Sequence, residues 1–245
     1  MHTTKPPHPH HVKIYQSHWH LVITLIIITA PFAYLLLFSN IADIANNELF
    51  IDLFISSFRL LAAYIIAVIL AWIWAVSFYK GRQSMIALPI FDVLQSFPTF
   101  AALPLATYFM GTSNTTVVVF LVLTVIWPIF FSLISSLKLI KPDWEEVADI
   151  SGLSGFEYVK NFLLPVTIPG LITGSIVGLG EGWEALVATE IIVNTKSGLG
   201  RFFSTFSHNS SVTIFGIIGL LLLIFGVNKL IWVPLLDWGH RRMGE

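Results

Sequence analysis

The sequence predicts an all-α integral membrane protein of about six transmembrane helices, with a cytoplasmic loop between spans four and five. Three observations carry that expectation. Of 245 residues, 56% are hydrophobic and only 11% charged, whereas a soluble domain carries about a quarter charged residues. The mean hydropathy is +0.81. Several apolar runs reach the roughly 20 residues that cross a bilayer.

The first span is expected at about Trp19 to Phe38, interrupted by Pro31, and reads as a span rather than a removable leader. Before it, residues 1–18 form a His/Pro-rich cytoplasmic tail, and residues 19–245 form the membrane domain. His2, His8, His10 and His11 in the tail could ligate a metal, but nothing else supplies a fixed ligand geometry. The expectation is a disordered tail and no metal site.

Span two covers about Phe54 to Tyr79, with Arg59 near its start. Span three, around Met85 to Met110, contains Pro89, Pro98 and Pro104 and should be kinked or split. Span four is Thr116 to Leu137. Spans five and six lie near Ile168 to Val193 and Val212 to Leu236.

Basic residues set the orientation. With the N-terminus inside, Lys5, Lys13, Lys80, Arg82, Lys138, Lys141, Lys160, Arg241 and Arg242 fall on the cytoplasmic side, and only Lys196 and Arg201 fall outside. That asymmetry is the positive-inside pattern, and it places both termini in the cytoplasm. The absence of cysteine excludes disulfides and Cys-based metal sites. A net charge of −1 gives no sign of nucleic-acid binding.

The loop from about 138 to 165 contains, at 145–165, the most polar long stretch between two apolar blocks. In PDWEEVADIS, Pro142 and Asp143 precede carboxylates in the first turn of a helix, where the dipole favours them. Gly152 offers the helix stop and Ser154-Gly155 a turn. A second helical stretch, FEYVKNFLL, is expected to end at Pro165.

The spacing within this loop resembles the EAA motif of the membrane subunits of binding-protein-dependent ABC importers. It reads Glu146-Val147-Ala148, three residues, Gly152, nine residues, then Phe162-Leu163-Leu164-Pro165. Val147 replaces an Ala of the family pattern and Phe162 an Ile. LQSFPTFAALPLATYFMG, from Leu94 to Gly111, is similar to a segment typical of nitrate, sulfonate and taurine-type importers. VIWPIFFSLISSLKLIKPDWEEVADISGLS, ATEII and SGLGRFF continue the likeness, which runs from about Ser56 to the basic end. SSFRLLAAYIIAVILAWIWAV keeps the Ser-x-x-Arg start but has Ala or Trp where that family has glycines.

The resemblance implies a permease subunit in the prokaryotic inner membrane, with the loop acting as a coupling helix on a separate ABC ATPase subunit. Glu146, Ala148, Asp149, Gly152, Leu153, Phe156 and Pro165 are the implied coupling residues. Glu146 and Asp149 would meet basic groups of the ATPase, with Leu153, Phe156 and Tyr158 supplying apolar contact. It further implies an extracytoplasmic solute-binding protein and a second permease copy, most simply as a homodimer. ATP and Mg would be used by the partner. The chain itself carries no GxxxxGK[ST] loop and is expected to bind no cofactor and to be no enzyme. The implied substrate is a small anion or organic solute such as nitrate, a sulfonate or taurine.

Charges within spans are costly in lipid and face protein or water. Arg59, Asp92, Glu181, Glu184, Glu190 and Lys229 form this set. Glu181 and Glu184 share a helix face and have two readings: they line the translocation path or bind a cationic group of the substrate, or they pair with Arg59 or Lys229. As path acids they would repel a simple anion. Glu190 lies at the family's usual acidic position, and Arg59, Glu190 and Lys229 are assigned to charge pairing within the bundle. Pro98 and Pro104 either place polar backbone at the path or serve as packing kinks. A secondary transporter or channel is the rival class, but it needs no loop of this spacing. An intramembrane enzyme would need HExxH, GxSxG or paired aspartates, none of which occurs.

Overall fold

The structure, a computed structural model, describes residues 46–232 without a break, together with positions 25, 26, 29–31, 33, 34, 36, 37, 40, 234 and 235. The tail histidines and most of the first expected span lie outside the described residues. So do the basic residues 241 and 242. The described positions between 25 and 40 are helical, and Tyr34 donates from its hydroxyl to the Phe215 carbonyl at 2.9 Å.

The continuous part is built of helices, with no strand among the described residues. In chain order they are α1 (Asn46–Phe78), α2 (Gly81–Gln95), α3 (Thr99–Met110), α4 (Asn114–Lys138), α5 (Pro142–Ile150) and α6 (Gly155–Tyr158). A π-helical turn, Val159–Leu163, leads into α7 (Leu164–Val193); α8 (Leu199–Thr205) and α9 (Ser210–Val227) follow, then a second π-helical turn, Asn228–Trp232. Four stretches are long and apolar enough to cross a membrane: Phe50–Phe78, Asn114–Lys138, Gly155–Val193 and Ser210–Trp232. The pair α2 and α3 passes the same test together, with an 81° bend. These correspond to expected spans two to six.

The core is α4, sandwiched between α1 and α7. Two stripes of small residues explain the sandwich. On α1, Ala63, Ala67, Ala71 and Ala75 recur every fourth residue and are fully buried. Alanine therefore does on this helix what glycine would do elsewhere, allowing close approach of backbones. On α7 the stripe is glycine. A Cβ on Gly170 would lie 2.4 Å from the Ser132 carbonyl oxygen, and one on Gly174 would lie 2.7 Å from the Ile129 Cα. Without a hydrophobic driving force between helices in lipid, such contacts and hydrogen bonds hold the bundle. Trp72 Nε1–H donating to Thr167 at 3.1 Å, and the Tyr64–Ser175 hydroxyl pair at 2.8 Å, are two such bonds between α1 and α7.

The break in span three falls at Ser96-Phe97-Pro98. Pro98 sits at the N-cap of α3, and the residue before a proline is turned away from helical geometry. Pro89 and Pro104 lie inside α2 and α3 without ending them. An aromatic cluster then ties three helices together: Trp74 stacks on Phe91 at 5.4 Å, and Phe91 meets Trp127 at 6.3 Å and Phe130 at 4.9 Å.

One expectation is corrected here. The helical stretch before Pro165 does not end there. The chain stays helical from Gly155 to Val193, because the π-helical turn widens the ladder just ahead of the proline. Leu164 N–H reaches back to the Val159 carbonyl, and Pro165 falls in the first turn of α7, where a missing N–H costs little.

Candidate functional site: a projecting loop, a cleft at half depth and a buried ion network

The loop between α4 and α7 begins with Pro142 at the first helical position of α5. Asp143 and Glu145 occupy its first turn, where the free N–H groups and the dipole favour carboxylates. Glu146 is one step further on. The helix closes at Gly152, whose φ of +72° is a left-handed conformation that other residues adopt only with strain. The closure is a full Schellman motif: Leu153 N–H donates to the Ala148 carbonyl at 3.1 Å, and Gly152 N–H to the Asp149 carbonyl at 3.0 Å.

Two contacts anchor α5 to the bundle. Ala148 is buried, at 3% exposure. Lys80, just beyond α1, pairs with Glu145 at 3.0 Å, and this hydrogen bond to Glu145 raises the lysine pKa above its ordinary value. The opposite face is open. Val147, Ile150 and Phe156 are 62%, 80% and 77% exposed, with Glu146 and Asp149 exposed between them. Leu153 and Tyr158 are half-buried, and Tyr158 packs against Phe162 with ring centroids 5.0 Å apart. The residues singled out in the loop therefore divide. Glu146, Asp149 and Phe156 point outward, while Ala148 and Tyr158 turn to the bundle. Val147 and Ile150 belong to the outward face and were missed. Their signal was the three-residue spacing of apolar side chains in a polar segment.

At half depth, a cleft of about 880 Å³ opens between the α2–α3 bend, α4 and α7. Its wall includes Gln95, Pro98, Thr124, Trp127, Phe131 and Glu181. Of the residues expected along a path, Pro98 and Glu181 share this cleft. Pro104 lies outside it. Glu184 lines a separate, largely apolar cleft between α7 and α9, of about 680 Å³. The alternative that these two acids pair with Arg59 or Lys229 is not met. Both are exposed and make no ion pair among the described residues.

The third feature lies at the end of the bundle opposite α5. Glu190 is completely buried and accepts from the Arg59 guanidinium, from Ser56 Oγ at 2.8 Å and from Gly200 N–H at 2.8 Å. Arg59 also donates to Asn114 Oδ1 at 2.6 Å and to the Ser197 carbonyl at 2.9 Å. Asp52 accepts from Arg201 at 2.7 Å and from Gly198 N–H at 2.7 Å. This network staples the connection after α7 onto α1. A Cβ on Gly200 would fall 2.3 Å from Glu190 Cβ, so the backbone passes directly over the acid.

Arg59 and Glu190 were among the charges singled out. Asp52, Ser56, Asn114 and Arg201 were not, although Asp52, Ser56 and Arg59 recur on one face of α1 at helical spacing. Lys229 is exposed in the second π-helical turn and makes no ion pair among the described residues.

These three features lie on a bundle of apolar helices. Residues 63–237 match the family described as the binding-protein-dependent transport system inner membrane component, and the chain belongs to that family. It is therefore a multi-pass protein of the inner membrane. It is 32% identical over 142 residues to the nitrate import permease protein NrtB of Synechocystis sp., covering 55% of this chain and 51% of that protein. It is 28% identical over 140 residues to the taurine transport system permease protein TauC of Escherichia coli, covering 55% and 51%. Against the bicarbonate transport system permease protein CmpB of Synechococcus elongatus it is 26% identical over 141 residues, again covering 55% and 51%. The chain thus spans about half the length of the relatives it matches.

Proposed function

We propose that this chain is the permease subunit of an ATP-driven importer, carrying the translocation path and coupling it through α5 to a separate ATPase. The single observation that carries this reading is the construction of the loop. α5 is locked to the bundle by Ala148, the Lys80–Glu145 pair and the Gly152 closure, yet it presents Val147, Ile150, Glu146 and Asp149 outward, with Phe156 exposed on α6 beside it. A connector with no partner would have no reason to combine a rigid root with exposed apolar side chains. A helix laid into a groove needs both.

In this reading both termini and the loop are cytoplasmic, and two permease copies enclose the path. The cleft at Pro98 and Glu181 is part of that path. A solute-binding protein delivers the substrate from the outer side. ATP and Mg act in the partner ATPase, and this chain contributes no catalytic residue and binds no cofactor. Closure of the ATPase pair moves α5, and the bundle answers by switching between two arrangements. The relatives named for nitrate, bicarbonate and taurine transport support a small-solute substrate.

Co-purification from native membranes tests the reading. Wild type is expected to retain an ATPase identifiable by mass spectrometry, and the double variant Glu146→Arg, Phe156→Asp is expected to lose it while its unfolding temperature stays unchanged. Transport that proceeds with no ATPase bound would favour an ATP-independent transporter instead.

A further inference from the structure

The wall of the half-depth cleft carries information about what it can hold. Its three hydroxyl side chains have their hydrogens committed within the protein. Ser96 donates to the Asp92 carbonyl, Thr99 to the Phe97 carbonyl and Thr124 to the Phe120 carbonyl, each at 3.2 Å. Gln95 spends an amide hydrogen on Asp92 at 2.6 Å. What the hydroxyls still present to a solute is lone pairs, and Gln95 keeps one amide hydrogen. Glu181 adds a carboxylate, and no lysine or arginine lines the cleft.

Aromatic rings complete the wall, with Phe97, Phe100, Trp127 and Phe131 among its lining. Trp127 is held by Phe91 and Trp74 behind it, each with ring centroids 6.3 Å away. Ring faces attract cations, tryptophan most strongly. An anion such as nitrate offers only acceptors and would meet the lone pairs and the carboxylate, which oppose it; the first turn of α3, at Thr99 and Phe100, favours it. A protonated amine brings N–H donors and positive charge, which the lone pairs, the carboxylate and the aromatic rings favour. The indole N–H of Trp127 and the second amide hydrogen of Gln95 are left for an acceptor at the solute's other end.

We infer that the cleft takes an organic solute bearing a protonated amine, with the ammonium against Glu181, and does not take a bare inorganic anion. This rests on the reading of the cleft as part of the translocation path. Among the transport activities for which the relatives are named, an amine-bearing solute such as taurine satisfies this chemistry and nitrate or bicarbonate does not.

The test uses the full chain in lipid nanodiscs and calorimetric titration with benzylammonium, benzenesulfonate and nitrate. Benzylammonium is expected to bind wild type and the two anions are not. Glu181→Gln should weaken benzylammonium roughly tenfold or more, the scale of a lost charge-assisted hydrogen bond. Glu157→Gln, which removes a carboxylate from the loop instead, should bind as wild type, and unfolding temperatures check that both variants fold. The inference is overturned if either anion binds as tightly as benzylammonium. It is equally overturned if Glu181→Gln binds benzylammonium like wild type, or if folded wild type does not bind it. Co-purification of the ATPase separates the two levels. With the ATPase retained, any of these results removes only the substrate class, whereas a chain that never carries an ATPase removes the importer reading itself.

Discussion

The two ends of the bundle treat charge in opposite ways. At the end carrying Arg59 and Glu190, charged groups are buried and enclosed by hydrogen bonds from three segments. At the α5 end, carboxylates and large apolar side chains stand exposed together on a helix whose root is fixed. The first arrangement is complete within the chain; the second is not. In the proposed reading the difference separates what holds the subunit together from what it offers to a partner.

Substitutions can break that contrast, beginning with the largest effect. Glu190→Ala leaves Arg59 buried without its partner and should cost about 3–5 kcal/mol, read as a loss of detergent-solubilised, monodisperse protein or a lower unfolding temperature. Replacing Arg59 and Glu190 together with methionine should cost less than either single removal, because no unpaired charge remains. Gly174→Val forces side-chain atoms into the α4 backbone and should cost about 1–3 kcal/mol by the same measurement. Gly152→Ala should cost about 1–2 kcal/mol in the loop alone, since alanine must adopt the left-handed conformation. Hydrogen exchange confined to α5 would show it.

The smallest effect is expected at Lys80→Met. The pair with Glu145 is largely exposed, and such pairs contribute about 0.2–1 kcal/mol. Its pH dependence has a definite sign. The folded-state pKa of Lys80 is raised, so the contribution is fully present below the ordinary lysine value of about 10.4. It is lost only as pH rises through the raised value. Stability differences between wild type and Lys80→Met should therefore be flat from pH 7 to 9 in that respect and shrink only in strong alkali.

Local features were legible in the sequence to the extent that local chemistry produces them. The apolar runs gave spans two to six, the prolines a kink or split somewhere in span three without choosing among Pro89, Pro98 and Pro104, and Gly152 the helix stop, since each depends on a residue's own backbone preferences. The π-helical turn was not legible. FEYVKNFLL reads as a helix ending at Pro165, and only the continuous packing of this stretch against the bundle selects the wider ladder. The Arg59–Glu190 pair joins residues 131 positions apart. Sequence could assign both charges to pairing within the bundle but left Glu181 and Glu184 open as further partners for Arg59. The choice of Glu190 follows from α7 turning it inward and the other two outward. Three segments noted separately, SSFR, ATEII and SGLGR, meet in this one network.

Cross-linking from single cysteines on α5, in native membranes, tests the account most directly. The chain has no cysteine of its own, so Ile150→Cys and Ala148→Cys can each carry a thiol-directed photo-crosslinker at a unique position. Ile150→Cys should join the chain to an ATPase, identified by mass spectrometry of the adduct, and Ala148→Cys should not, because its side chain faces the bundle. A fully labelled Ile150→Cys that yields no ATPase adduct would contradict the assignment of α5 as the coupling helix.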